Sequence, residues 1–151
     1  MVLAKQAVTR RGLILGGSAL GMAAAFLPKA VLAADPIKVA GIYTVPVEQQ
    51  WAGRLHEAAL AAKEAGLVDY SYTENVSNTD YPRVMREYAE SGSQLIIGEI
   101  FGVEQEAREV AQDYPEVAFL MGSSFPADAA LSNFGVFDNY IQDASYLSGI
   151  I

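Results

Sequence analysis

The sequence IKVAGIYTVPVEQQW, residues 37–51, decides the fold of this chain. Residues 37–42 form a largely apolar run, and apolar residues recur at helical spacing from Trp51 onward, so the stretch predicts a strand, a turn and a helix. In an α/β sheet, ligands lie in the crevice beyond the carboxyl ends of the strands. We therefore interpret residues 41–51 as one wall of a ligand pocket. This wall would present Tyr43, Thr44, Glu48 and Trp51.

Strand-like and helix-like segments alternate through the rest of the chain, which predicts βαβ units and a mainly parallel sheet. The predicted strands are residues 37–44, 68–74, 94–98, 117–121 and 134–137. The first helix should end at Ala65-Gly66, the second should carry Pro82 in its first turn, and the third should end before Pro115. A last helix is predicted after Asp138 and Asn139, with Tyr140, Ala144, Leu147 and Ile151 on one stripe. The expected fold is a Rossmann-like three-layer α/β lobe.

The first 33 residues predict a secretory signal peptide that is cleaved near Ala33. A basic start containing Arg10 and Arg11 precedes an apolar run, residues 13–27, which is shorter than the roughly 20 residues of a spanning helix. The arginine pair resembles a twin-arginine export signal, and a general secretory signal is the alternative. We expect a periplasmic protein with a folded part formed by residues 34–151.

Composition limits the partners of this folded part. The chain contains no cysteine, so we expect neither disulfides nor a lipid anchor on an N-terminal cysteine. Residues 34–151 hold 6 basic and 18 acidic residues, a formal net charge of −12. Such a surface repels phosphate backbones and anionic headgroups, which excludes nucleic acid and stable membrane association as expected partners.

Motifs for catalysis or cofactor binding are not found in the sequence. His56 is the only histidine, so it has no second histidine or cysteine with which to form a zinc site, and we expect a structural role for it. No glycine-rich dinucleotide or phosphate motif follows the first strand. Gly122-Ser123-Ser124 lacks the pattern of a nucleophile elbow. We expect a protein without enzymatic activity, metal or cofactor.

Residues with binding chemistry fall at the predicted carboxyl ends of the strands. They are Tyr43, Thr44, Glu48, Trp51, Glu99, Phe101, Ser123, Ser124, Asp138 and Asn139. Aromatic rings with neutral polar groups and a few carboxylates suit a flat organic ligand with a polar edge. Structural roles are equal alternatives, since Trp51 can pack against the sheet and the acids can favour helix N-termini.

Five segments follow one another along the chain: KVAGI at 38–42, WAG at 51–53, QLIIG at 94–98, AFLMG at 118–122 and YLSG at 146–149. In this order they resemble the basic membrane protein family, which comprises solute-binding proteins of ABC importers and includes purine-nucleoside receptors. The resemblance implies a two-lobed periplasmic binding protein of the type I, LacI-like kind, with the ligand enclosed between the lobes and an ABC permease as partner. This chain would supply the first lobe, and a second lobe would lie beyond it.

Two departures from the family bear on the ligand. Residues 45–48 stand where nucleoside-binding members carry Ser-Phe-Asn, and Gly122 with Ser123 stands where they tend to have an aspartate. A missing carboxylate removes an acceptor for ribose hydroxyls, so the resemblance implies a purine base such as adenine rather than a nucleoside. Stacking would come from Tyr43, Trp51 or Phe101, and bonds to the base edge from Glu48, Glu99 or Asp138.

Two alternatives to a transport receptor are open at this point. The first is a periplasmic sensor that reports ligand binding to a signalling receptor. The second is an exported α/β enzyme with its catalytic residues in a part of the protein that follows this chain.

Overall fold

The computed structural model describes residues 35–138, 145, 146, 148 and 149. Five strands and three helices alternate along residues 35–138. The strands are β1 (Ile37–Ile42), β2 (Val68–Thr73), β3 (Leu95–Glu99), β4 (Ala118–Gly122) and β5 (Phe134–Phe137). The helices are α1 (Gln50–Glu64), α2 (Tyr81–Glu90) and α3 (Glu104–Asp113). Within the described residues, no helix is long and apolar enough to cross a membrane.

The strands form one parallel sheet in the order β2-β1-β3-β4-β5, which confirms the predicted α/β class. The chain leaves β1 toward β2 on one side and then continues with β3 on the other side of β1. This reversal is the topological switch point of the sheet, where α/β folds place ligands beyond the carboxyl ends of the strands. A ligand crevice is therefore expected at the ends of β1 and β3.

The main core lies on the side of the sheet that α2 and α3 cover. Strand residues such as Ile96, Phe119 and Met121 pack there with Val110 of α3, and each is at most 2% exposed. Full burial of a large apolar side chain stabilises the fold by about 1.5–3 kcal/mol. On the side of α1 the core is much smaller, and Leu120 in the middle of β4 is 42% exposed. The two faces of the sheet thus have different environments.

Several boundaries differ from the predictions. β1 ends two residues earlier than predicted, although the Tyr43 N–H still donates to the Thr73 carbonyl at 2.9 Å. β3 extends one residue further, so Glu99 belongs to the strand rather than to the loop after it. The predicted stop at Gly66 is confirmed, because this residue adopts a φ of 71° that favours glycine. The last predicted helix falls mostly outside the described residues.

Candidate functional site

Glu99, at the end of β3, is the centre of the site and is only 6% exposed. Its Oε1 accepts hydrogen bonds from the Thr44 backbone N–H at 2.8 Å and from the Thr44 hydroxyl at 2.6 Å. The structure therefore brings together two predicted site residues that are 55 positions apart in the chain. Their contact ties the turn after β1 to the end of β3, at the switch point of the sheet.

The second oxygen of Glu99, Oε2, is buried and has no hydrogen-bond partner among the described residues. A buried polar group left without a partner costs about 1–3 kcal/mol, and more when it is charged. Such groups are few in native proteins, and each one needs an explanation, such as a hydrogen-bond donor that is not among the described residues. Oε2 of Glu99 is therefore a buried acceptor for which the described residues supply no donor.

Three aromatic side chains form a cluster beside this carboxylate, and we call Trp51, Phe101 and Phe137 the aromatic cluster. The rings of Trp51 and Phe137 are stacked, with centroids 5.7 Å apart and planes inclined by 6°. Trp51 and Phe101 meet edge to face at 5.8 Å. Phe101 is 48% exposed, and the other two rings are partly exposed. The aromatic cluster provides a wall on which a flat ligand can stack.

Gly122, at the end of β4, lies directly against the indole of Trp51. A Cβ at this position would lie 2.4 Å from Cη2 and 2.8 Å from Cζ2 of the indole. Gly122 pairs with Glu99 on β3 and with Phe137 on β5, so the three residues form one row across the strand ends. The carboxylate and the aromatic wall therefore belong to the same edge of the sheet.

A groove of about 490 Å³ opens at this edge. Its walls are Gln50, Trp51, Arg54, Leu55, Phe137 and Asp138. This volume lies within the range of small-molecule sites. A larger groove of about 770 Å³ runs along α3, but its central cation, Arg108, already contacts Glu104 and the Pro126 carbonyl. We place the candidate site at the smaller groove, because Trp51 and Phe137 line it. Glu99 does not line the groove, but it belongs to the same row of strand ends as Phe137.

Tyr43 does not belong to this wall. Its side chain is fully buried, and its hydroxyl lies 2.9 Å from the Tyr70 hydroxyl. The Tyr70 hydroxyl in turn lies 3.1 Å from Nδ1 of His56, so the only histidine packs among tyrosines. Tyr43 therefore has no ring face open to a ligand, in contrast to the stacking role expected from the sequence. The sequence placed Tyr43 at the end of the predicted strand, residues 37–44, but did not determine which way its side chain turns, and the contact with Tyr70 holds it in the core.

Ser123 is also turned away from the groove. It is 3% exposed, and its hydroxyl donates to Glu104 Oε1 at 2.6 Å and accepts from the Phe125 N–H at 3.0 Å. These bonds tie the loop after β4 to the first turn of α3 and give Ser123 a structural role. Ser124 and Glu48 are exposed.

The remaining candidates lie after β5. Asp138 follows Phe137, the last residue of β5, and lines the groove together with Trp51. Asn139 lies outside the described residues. No group of three or more histidine, aspartate or glutamate side chains that could hold a metal is found in the part of the chain that the structure describes.

Phe137 and Gly122 are site residues that the sequence analysis did not select. Phe137 was assigned to β5. Gly122 was placed just after the predicted strand, residues 117–121, and was considered as part of Gly122-Ser123-Ser124 and in the comparison with the family, but not as a site residue. Both are the last residues of their strands, and that position is the signal that could have identified them. The contact of Gly122 with Trp51 joins residues 71 positions apart and follows from the strand order, which local patterns do not contain.

Comparisons with known proteins agree with a binding role. No family model matches the chain. It is 30% identical over 82 residues, 54% of its length, to the "Putative ABC transporter glucose-binding protein TsgA13" of Haloferax volcanii. The chain spans about a fifth of the length of this curated relative, 20%.

Two solved structures are similar to this fold. An ABC transporter solute-binding protein from Conexibacter woesei matches with a TM-score of 0.55 and 25% identity, over 68% of this chain and 35% of that one. A fragment described as a putative lipoprotein from Peptoclostridium difficile 630 matches with a TM-score of 0.54 and 19% identity, over 76% of this chain and 94% of that one. At this identity the second match shows a shared fold alone.

The relatives are thus solute-binding proteins of ABC transporters. They are named as binding proteins and not as enzymes, in agreement with the expectation from the sequence. The comparisons do not identify the basic membrane protein family, and that narrower assignment stays a prediction.

Proposed function

We propose that this chain is the first lobe of an extracytoplasmic solute-binding protein that delivers a small organic molecule to an ABC permease. The observation that carries the proposal is the unpaired, buried oxygen of Glu99 beside the aromatic cluster at the switch point of the sheet. The relationship to ABC transporter solute-binding proteins supports it. Residues 1–33 would direct export and would be removed near Ala33.

A purine base such as adenine is the ligand that we propose first. Its flat ring can stack on Phe101 or Trp51, and its N–H groups can donate to Oε2 of Glu99. Asp138, at the mouth of the groove, is a second acceptor for the base edge. This assignment also follows the resemblance to the basic membrane protein family.

A sugar such as glucose is the second candidate, and it is favoured by the Haloferax volcanii relative, which is named as a glucose-binding protein. The apolar C–H face of a pyranose packs on aromatic rings, while its hydroxyls donate hydrogen bonds to carboxylates. A purine base and a sugar would both bind to the aromatic cluster, so a binding assay must include both kinds of compound.

Thermal unfolding of the full-length protein with adenine, adenosine and glucose tests the proposal. A ligand present at 100 times its Kd stabilises the folded state by about 2.7 kcal/mol, which raises the melting temperature by several degrees. We expect a rise with adenine or with glucose. If none of a wider panel of bases, nucleosides and sugars changes the melting temperature at millimolar concentration, the proposed function is wrong.

The variant Glu99→Gln tests the role of the carboxylate. Its amide oxygen can still accept from Thr44, but its NH₂ group would face the ligand donor, so we expect ligand affinity to fall by about 10- to 100-fold. Glu116→Gln is the control, because Glu116 is exposed and lies at the opposite end of β4. Equal affinity in the two variants would remove Glu99 from the site.

The genes beside the one for this protein distinguish a transport receptor from a periplasmic sensor. Adjacent genes for a permease and an ATPase favour an importer. A histidine kinase or a chemoreceptor in their place would favour a sensor. Fractionation of cells into cytoplasm and periplasm checks the proposed export.

A further inference from the structure

We propose that Gly122 is a specificity-determining residue of this pocket. The absence of a side chain at the end of β4 lets the Trp51 indole lie across the strand ends, and the indole then serves as the wall that recognises a ring. This inference rests on the proposed function and narrows it to ligands that contain a flat aromatic ring or a pyranose ring.

A side chain at position 122 would collide with the indole of Trp51. A Cβ on Gly122 would lie 2.4 Å and 2.8 Å from two carbons of the indole, and real Cβ atoms do not approach heavy atoms that closely. The indole is not a flexible chain end that can give way. It is rooted in the first turn of α1, stacked on Phe137 and in edge contact with Phe101. Any side chain at position 122 therefore displaces the ring.

Charge also disfavours a carboxylate at position 122, because of the residue beside it in the row across the strand ends. Gly122 pairs directly with Glu99, and directly opposed like charges on neighbouring strands are destabilising. A carboxylate at position 122 would therefore both displace Trp51 and oppose Glu99. The row instead combines one carboxylate, on β3, with an aromatic surface that covers β4 and reaches Phe137 on β5.

This combination limits the ligands that the pocket can hold. A ring gains contact area on the aromatic cluster, and a donor on its edge satisfies Glu99. A linear polyol or an amino acid offers donors but no face to stack. We therefore expect rings to be bound and acyclic solutes of similar size to be rejected.

The variants Gly122→Ala and Gly135→Ala in the full-length protein test the proposal as a matched pair. Gly135 lies on the neighbouring strand β5. A Cβ there would lie 3.3 Å from the flexible end of the Leu120 side chain and 3.7 Å from the Phe119 carbonyl oxygen, which is an ordinary contact distance. Trp51 is the only tryptophan of the 151-residue chain, so the fluorescence of this chain reports the position of the indole.

We expect Gly122→Ala to shift the Trp51 emission and to weaken binding of adenine or glucose, whichever the wild type binds, by at least tenfold. Gly135→Ala should leave the Trp51 emission unchanged and the ligand affinity within twofold of the wild type. The double variant Trp51→Leu/Gly122→Ala removes the clash, so it should recover the melting temperature without recovering affinity.

Two results would overturn the inference. The first is wild-type affinity and unchanged emission in Gly122→Ala, and the second is recovered affinity in the double variant. If the wild type binds neither adenine nor glucose nor any other ring compound, the proposed function is wrong and the inference fails with it. If the wild type binds a ring and Gly122→Ala binds it equally well, only the inference fails.

Discussion

Tyr70 joins three elements through a single hydroxyl group. The side chain is 2% exposed, and the hydroxyl lies 2.9 Å from that of Tyr43 and 3.1 Å from Nδ1 of His56. Gly41 makes room for it, because a Cβ at position 41 would lie 2.6 Å from the Tyr70 oxygen. The contact fixes Tyr43 in the core and thereby holds the turn that leads to Thr44.

The variant Tyr70→Phe tests this contact. It leaves the buried Tyr43 hydroxyl without its partner, so we expect the free energy of unfolding to fall by about 1–3 kcal/mol. Urea unfolding measures the change. Tyr72→Phe is the control, because Tyr72 lies two residues further along β2 and is 42% exposed. Equal stability of Tyr70→Phe and the wild type would contradict the role assigned to the hydroxyl.

Tyr43 and Tyr70 should also make the folded protein less stable at alkaline pH. Burial raises the pKa of Tyr43 and of Tyr70 above the ordinary value of about 10. Because the folded state favours the neutral phenols, their contribution is complete below about pH 10 and is lost as the pH rises above it. Urea unfolding from pH 8 to about pH 11 should show falling stability, with a smaller fall in Tyr70→Phe. If the free energy of unfolding falls equally with pH in the wild type and in Tyr70→Phe, Tyr70 does not cause the loss of stability.

At the scale of secondary-structure elements, Asn133 connects the end of α3 to the beginning of β4. Its Nδ2 donates to the carbonyls of Ala111 at 3.0 Å, Tyr114 at 3.1 Å and Val117 at 2.9 Å. The last carbonyls of a helix lack partners within the helix, and here a side chain from the residue before β5 supplies them. One amide group thus sets the path of the chain from α3 into β4.

We expect Asn133→Ala to lower the free energy of unfolding by about 2–3 kcal/mol, because buried carbonyls lose their donor. Asn133→Asp should cost more, since a carboxylate would face carbonyl oxygens. Ser132→Ala, at the exposed preceding residue, is the control. Melting curves measure the series, and an Asn133→Ala protein as stable as the control would exclude the connecting role.

At the scale of the whole molecule, the described chain is a single sheet with its candidate site along one edge. Trp51 and Phe137 of the aromatic cluster form one wall of a groove that is open to solvent, and Glu99 is buried at the same edge of the sheet. A wall of this kind encloses only part of a small ligand, whereas tight sites bury most of its surface. The proposed two-lobe architecture would supply the opposite wall.

This proposal predicts a large difference between the full-length protein and the 151-residue chain. We expect the chain to bind adenine or glucose at least about 100-fold more weakly, because the contacts of a second lobe are missing. Isothermal titration of both proteins measures the ratio. Full affinity in the 151-residue chain would contradict the two-lobe architecture.

Local patterns predicted most of the fold. The alternation of strands and helices, the stop at Gly66 and the position of β5 at residues 134–137 were all found from the sequence. Each depends on the neighbours within a few positions, through periodicity, turn chemistry or the conformational freedom of glycine. Element boundaries, such as the end of β1 and the inclusion of Glu99 in β3, depend on pairing with another strand and were off by one or two residues.

The site was predicted only in part. The sequence selected Thr44, Trp51, Glu99, Phe101 and Asp138 because they lie at or after predicted strand ends. In the structure Thr44 bonds Glu99, Trp51 contacts Phe101, and Asp138 lines a groove with Trp51. The same rule also selected Tyr43 and Ser123, which are buried and bonded within the lobe. Proximity to a strand end does not tell which way a side chain turns, since that direction is set by the partners available to it.

The sequence by itself determined the α/β class, the order of the elements and the strand ends where candidate binding residues collect, because those properties come from local periodicity and turn chemistry. The tertiary structure alone decided that Glu99 bonds Thr44 and that Gly122 accommodates the indole of Trp51. Both contacts join residues more than 50 positions apart. They exist because the strand order β2-β1-β3-β4-β5 aligns distant strand ends, and no local pattern encodes that alignment.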